Sequence, residues 1–84
     1  MSKAKKMLIQ TKVKIVAVEA TITRLNENVE SLVQEAIDKK KIGDKRGAVQ
    51  AMFKRRLTLR QIEKYKAMLK KLIAARDQLV IVLV

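Results

Sequence analysis

The chain has 84 residues, with 20 Lys and Arg against 8 Asp and Glu for a net charge of +12, and it contains no cysteine, no histidine and no proline. Without cysteine there is no disulfide or thiolate chemistry. Without histidine the commonest metal ligand and proton shuttle is missing, and two glycines with no proline are too few turn residues for a small β-sandwich or barrel.

Long helices are the alternative that this composition favours. A chain of this length is one domain or a fragment of a larger one. A two-helix unit of that size buries little core, so a partner, a polymer or a surface is expected to complete it. A charge so far from zero points to a polyanion: an anionic membrane, a nucleic acid or an acidic protein segment. Met1 to Ala20 is basic and then apolar, but Gln10, Thr11, Lys12 and Lys14 interrupt it, which argues against a signal peptide. The longest apolar run, Leu79-Val80-Ile81-Val82-Leu83-Val84, is far short of the ~20 residues that span a bilayer. A cytosolic chain is therefore expected. If that run is exposed, its β-prone character makes it an aggregation hazard.

Ala4, Leu8, Thr11, Ile15, Val18, Ile22, Leu25, Val29, Leu32 and Ala36 follow one another at alternating spacings of four and three. This is a sustained heptad stripe, and it predicts one continuous helix over about residues 4–41, roughly 55 Å long. Ile9, Val16, Val33 and Ile37 flank the stripe and widen it. Lys39, Lys40 and Lys41 place cations at the negative end of the helix dipole. Gly43 can take the left-handed conformation that stops a helix, and Asp44 is suited to cap the next one. The bend is thus expected at 42–44.

The second pattern predicts a helix over about residues 45–82. Its apolar positions are Ala48, Ala51 or Met52, then Leu59, Ile62, Tyr65, Leu69, Leu72 and Leu79, with Arg55 and Arg76 interrupting. Two arms of matching length and a short connection predict an all-α fold, a long antiparallel, coiled-coil-like two-helix hairpin. Positions whose numbers sum to about 86 would face each other across it, so that Ile22 lies near Lys64 and Glu35 near Ala51. The expected packing set is Ile15, Val18, Ile22, Leu25, Val29, Leu32, Ile62, Tyr65, Leu69 and Leu72.

Charge is segregated along the chain. Residues 19–38 hold Glu19, Glu27, Glu30, Glu35 and Asp38 against Arg24 alone, whereas residues 45–71 hold ten cations against Glu63 alone. In a hairpin the acidic span runs alongside Lys54 to Lys66, and some cross-helix ion pairing is expected, at ~0–1 kcal/mol per exposed pair.

No catalytic constellation is present. There is no nucleophile–base pair, and Gly43-Asp44-Lys45-Arg46-Gly47 lacks the spacing of a phosphate-cradling loop. Glu27 with Glu30, and Glu35 with Asp38, stand one turn apart as carboxylate metal sites require. They have no histidine beside them and read as a solvated face. Neither enzyme activity nor a cofactor or metal is expected. The strongest site reading is the basic run, with Lys45, Arg46, Lys54, Arg55, Arg56, Arg60 and Lys64 as the anion-binding set. Arg56, Arg60 and Lys64 share one side of a helix by i, i+4 spacing. The same charges also serve as a solubilising face. Beside an anionic leaflet each contributes ~1 kcal/mol within a Debye length, and Lys3, Lys5, Lys6, Lys12 and Lys14 offer a second contact at the open end. A nucleic acid would use the same cations, but the helix lacks a base-reading set and aromatics for stacking, which argues against it.

The run Lys45-Arg46-Gly47-Ala48-Val49-Gln50-Ala51-Met52-Phe53-Lys54-Arg55-Arg56, continuing through Gln61-Ile62, Leu69 and Arg76-Asp77-Gln78-Leu79, resembles the charged multivesicular body proteins, the ESCRT-III subunits. Glu35-Ala36-Ile37-Asp38-Lys39-Lys40-Lys41 is similar to the end of that family's first helix. The resemblance implies a helical hairpin, peripheral on endosomal or other membranes from the cytoplasmic side. Such a hairpin would assemble with itself and with other ESCRT-III-type subunits into filaments on anionic lipid and serve vesicular transport, with no small-molecule substrate. By that analogy Lys45, Arg46, Lys54, Arg55, Arg56 and Arg60 face lipid or filament neighbours. Phe53, Leu57 and Leu59 depart from the polar or charged residues usual there, and the family's acidic second half has no counterpart in these 84 residues. The alternative reading is a coiled-coil module that pairs with another protein through the first-helix stripe.

Overall fold

The computed structural model describes residues 2–84. These form two helices, α1 over Lys3–Lys41 and α2 over Lys45–Leu83, each of 39 residues, folded back on each other. The hairpin measures 61 × 16 × 14 Å along its principal axes. It is the antiparallel, coiled-coil-like hairpin that the two stripes predict.

Each boundary has a local cause. Ser2 caps α1 by accepting a 3.2 Å hydrogen bond from the Lys5 backbone N–H. At the other end Gly43 sits at φ 82°, a left-handed conformation that costs a side-chain-bearing residue ~1 kcal/mol or more. The chain there closes a Schellman turn. The Asp44 N–H donates to the Lys39 carbonyl at 2.8 Å and the Gly43 N–H to the Lys40 carbonyl at 3.1 Å. Asp44 then caps α2, its Oδ1 accepting from the Gly47 N–H at 2.8 Å. One residue thus finishes the stop of α1 and starts α2, which keeps the connection to Ile42, Gly43 and Asp44. At Gly47 the Asp44 carboxylate and the aliphatic stem of Lys39 occupy the place of a β-carbon, so a larger residue there would have to push these two side chains aside. That close approach brings the first turn of α2 onto the last turn of α1.

The core is a single seam. In α1 all ten stripe residues from Ala4 to Ala36 are buried or half-buried, with Ile15, Val18, Leu25 and Ala36 buried. Across from them Ala51 and Ile62 are buried, and Ile62 is the largest side chain fully enclosed. Ile22, Val29, Leu32, Tyr65, Leu69 and Leu72 are half-buried on the same interface. The helices pass each other close to the expected register: Arg24 shares a groove with Lys64, Thr21 with Met68, and Asn28 with Gln61.

Two expectations about α2 change. The choice between Ala51 and Met52 falls on Ala51, since Met52 is exposed. Arg55 and Arg76 do not interrupt the seam but occupy it. The half-buried or buried positions run Ala48, Ala51, Arg55, Thr58, Ile62, Tyr65, Leu69, Leu72, Arg76 and Leu79, at unbroken three–four spacing, with Gly47, Leu59 and Ile73 beside them. The expected cross-helix ion pairing is also corrected. Among the described residues the three ion pairs are Lys39–Glu35 at 3.1 Å, Lys66–Glu63 at 3.8 Å and Arg76–Asp77 at 3.0 Å, each within one helix. The physical reason is angular. Glu27, Glu30 and Asp38 are turned out of the seam to solvent, and the interhelical grooves that Arg56 and Lys64 border carry Lys40 and Arg24 on the α1 side and no acid.

With one seam and no second layer among the described residues, the central contact dominates stability. Ile62→Ala is expected to destabilise the hairpin by about 3 kcal/mol. Urea titration followed by helical circular dichroism checks this. A loss below about 1 kcal/mol would place the chief packing contact elsewhere.

Candidate anion-binding face

Seam positions fix which side chains of α2 point outward. With Ala51, Arg55, Thr58 and Ile62 turned inward, Lys45, Arg46, Lys54, Arg56, Arg60 and Lys64 are all exposed. None of these six takes part in an ion pair among the described residues. Between Asp44 and Glu63 the helix carries no acid at all. Their fields therefore add rather than cancel, and the outer side of the first half of α2 is a cationic face.

Arg55, grouped with them by the sequence pattern, stands apart. It is half-buried in the seam, and its Nε is enclosed with no hydrogen-bond partner. A buried N–H without an acceptor is destabilising, and the aliphatic stem of the arginine is what fits the interface. Arg24, which the sequence pattern leaves outside the cationic set, lines the same groove as Lys64 together with Thr21, Leu25, Gln61, Tyr65 and Met68. It is the one cation of an otherwise acidic span, so only the hairpin register brings it to Lys64.

The outer face is not purely polar. Along one line Arg46, Phe53 and Arg60 stand at seven-residue intervals; beside it Val49 is followed by Arg56, and Leu57 by Lys64. Val49 is 69% exposed, Phe53 57% and Leu57 42%. At the bend end Val49 and Phe53 border an open hollow of about 410 Å³ between the helices, lined also by Ala36, Ile37, Ala48 and Met52, with Lys40 and Arg56 on its wall.

The carboxylates are arranged differently. Glu35 bonds Lys39, and Asp38 accepts from the Gln34 side chain at 2.8 Å. Glu27 and Glu30 are solvent-exposed. Among the described residues no helix is long and apolar enough to cross a membrane.

No protein-family model, curated protein or solved structure matches the chain.

The unpartnered Nε gives Arg55 a signature distinct from the six outward cations. Arg55→Leu is expected to stabilise the hairpin by about 1 kcal/mol, because it removes the orphan donor and keeps an apolar stem in the seam. Thermal or urea unfolding of the variant reads this directly, and a destabilised hairpin would mean that the guanidinium finds a partner in solution.

Proposed function

We propose that this chain is an ESCRT-III-like hairpin core that binds anionic membranes from the cytoplasmic side and self-associates into filaments for membrane remodelling and endosomal transport. The observation that carries the reading is the outward cationic face of α2, exposed and free of acids from Lys45 to Gln61. A face of this kind matches a two-dimensional array of phosphates. Each cation near such a surface contributes ~1 kcal/mol, so several acting together hold a protein reversibly.

Two further features support it. The hairpin, with equal arms and a three-residue connection, is the shape that the family resemblance implies. The family-like run from Lys45 to Arg56 also lies on the part of α2 where the outward cations gather. Self-association draws on the separation of charge. The exposed acids Glu27, Glu30 and Asp38 belong to α1 and the outward acid-free cations to α2, so copies stacked with the 27–38 span of one against α2 of the next set unlike charges against each other. A heterologous contact of that kind joins unlike faces and grows as an open filament where its rotation does not close a ring. An outside protein helix reaching the first-helix stripe would have to displace α2, which already covers it.

Co-sedimentation with vesicles tests the lipid step. Phosphatidylcholine vesicles containing phosphatidylserine are expected to pull down the protein and neutral vesicles to leave it in solution, with binding falling as salt rises. The double variant Arg56→Gln/Arg60→Gln is expected to bind about 30-fold more weakly, roughly 2 kcal/mol for two cations. Equal binding to neutral and anionic vesicles would rule out the electrostatic mechanism. Electron microscopy of the vesicle-bound protein reads filament formation in the same samples.

A further inference from the structure

Electrostatic attachment leaves one feature of the bend end without a role. Ile37, Val49, Met52 and Phe53 line one hollow and are 43%, 69%, 43% and 57% exposed. They come from both helices, so they form a shared surface rather than a stripe of one helix. Isolated exposed apolar residues need no explanation, but a contiguous set around an opening does. Lys40 and Arg56 stand on the wall of the hollow, and Lys41, Lys45, Arg46 and Arg60 are exposed on the neighbouring turns. The acids nearest in sequence are held elsewhere: Asp44 caps α2, Glu35 bonds Lys39 and Asp38 accepts from Gln34.

We propose that the bend end of the hairpin inserts into the leaflet, with Ile37, Val49, Met52 and Phe53 entering the acyl-chain boundary while Lys40, Arg46, Arg56 and Arg60 engage the phosphates above it. The inference deepens the membrane reading and rests on it. The charge pattern selects the occupant. An apolar centre whose wall carries cations and no acid matches a layer of anionic groups over hydrocarbon. Such patches sink ~5–10 Å into the headgroup boundary. Phe53 is the largest apolar side chain in the set and has the most area to transfer. Phosphate contact alone would fade as salt shortens the screening length from ~8 Å at physiological strength to ~3 Å at 1 M, whereas the inserted apolar contact persists.

The chain contains no tryptophan, so Phe53→Trp places a single reporter at the centre of the patch without adding a charge. The variant is mixed with vesicles of phosphatidylserine and phosphatidylcholine, with or without chain-brominated phosphatidylcholine, while co-sedimentation of the unmodified chain runs in parallel. Insertion predicts a shift of the indole emission to shorter wavelength, quenching by the brominated chains, and part of the binding surviving 1 M salt. Phe53→Ser is expected to weaken binding about tenfold while helical content stays unchanged. If the unmodified chain sediments with anionic vesicles but the introduced indole stays in water and unquenched, insertion is overturned and the electrostatic reading stands. If the indole is already shielded without lipid, in a manner that depends on protein concentration, the patch belongs to a second copy and the proposal falls. If the unmodified chain does not sediment at all, both readings fail together.

Discussion

The molecule depends on one line of contact between two helices. Among the described residues there is no third element, so most apolar side chains outside that line remain at the surface, and each helix keeps an outer side uncovered. A globular domain of this length would hide most of its charge pattern in loops and corners. Here the pattern is displayed along a rod 61 Å long, with outward cations on the first half of α2 and the acids of α1 gathered in residues 19–38. The functional reading follows from that geometry: the seam decides which residues of α2 are left facing outward.

The seam is uneven along its length. Near the bend it is built from small residues, Ala36, Gly47, Ala48 and Ala51, which let the two backbones come close. Further along it is filled by Ile15, Val18, Leu25 and Ile62, the larger part of the buried core. Polar and charged residues share it elsewhere: Thr11, Arg55, Thr58 and Arg76 all hold seam positions. Thr11 and Thr58 donate their hydroxyls to the carbonyls one turn earlier, at 2.7 and 2.9 Å, so they add no orphan donor. Arg76 bonds Asp77, whereas the Arg55 Nε has no partner. A hairpin whose only interface contains such residues is not optimised for stability alone, in keeping with a chain that gains further contacts from a surface or from its own copies.

In the sequence α1 is easy to read and α2 is hard. Apolar or small residues occupy nearly every seam position of the first helix, so its four–three rhythm stands out by inspection. Gly43 and Asp44 are equally legible, because few residues can take a left-handed stop or an N-cap. In the second helix a cation at a seam position looks like a break. Arg55 reads as an interruption, although its long stem fills the position as an apolar residue would. Skipping it moves the next expected seam residue from Thr58 to Leu59, one residue or about 100° around the helix. That same rotation decides between Ala51 and Met52, and it determines whether Phe53 faces outward. The cationic face is therefore legible as a composition, while its division into outward cations, one seam arginine and a shared apolar patch requires the register. The missing cross-helix ion pairs have the same origin: two charges level along the rod can still lie on opposite edges of it.

Small-angle X-ray scattering of the monomeric fraction tests the central claim, that the chain is a single-seam rod with its outer faces free. The account predicts a radius of gyration near 18.8 Å and an elongated particle about 61 Å long. A compact 84-residue domain would give roughly 12 Å, and a value close to that would mean that the second helix folds its cationic face inward.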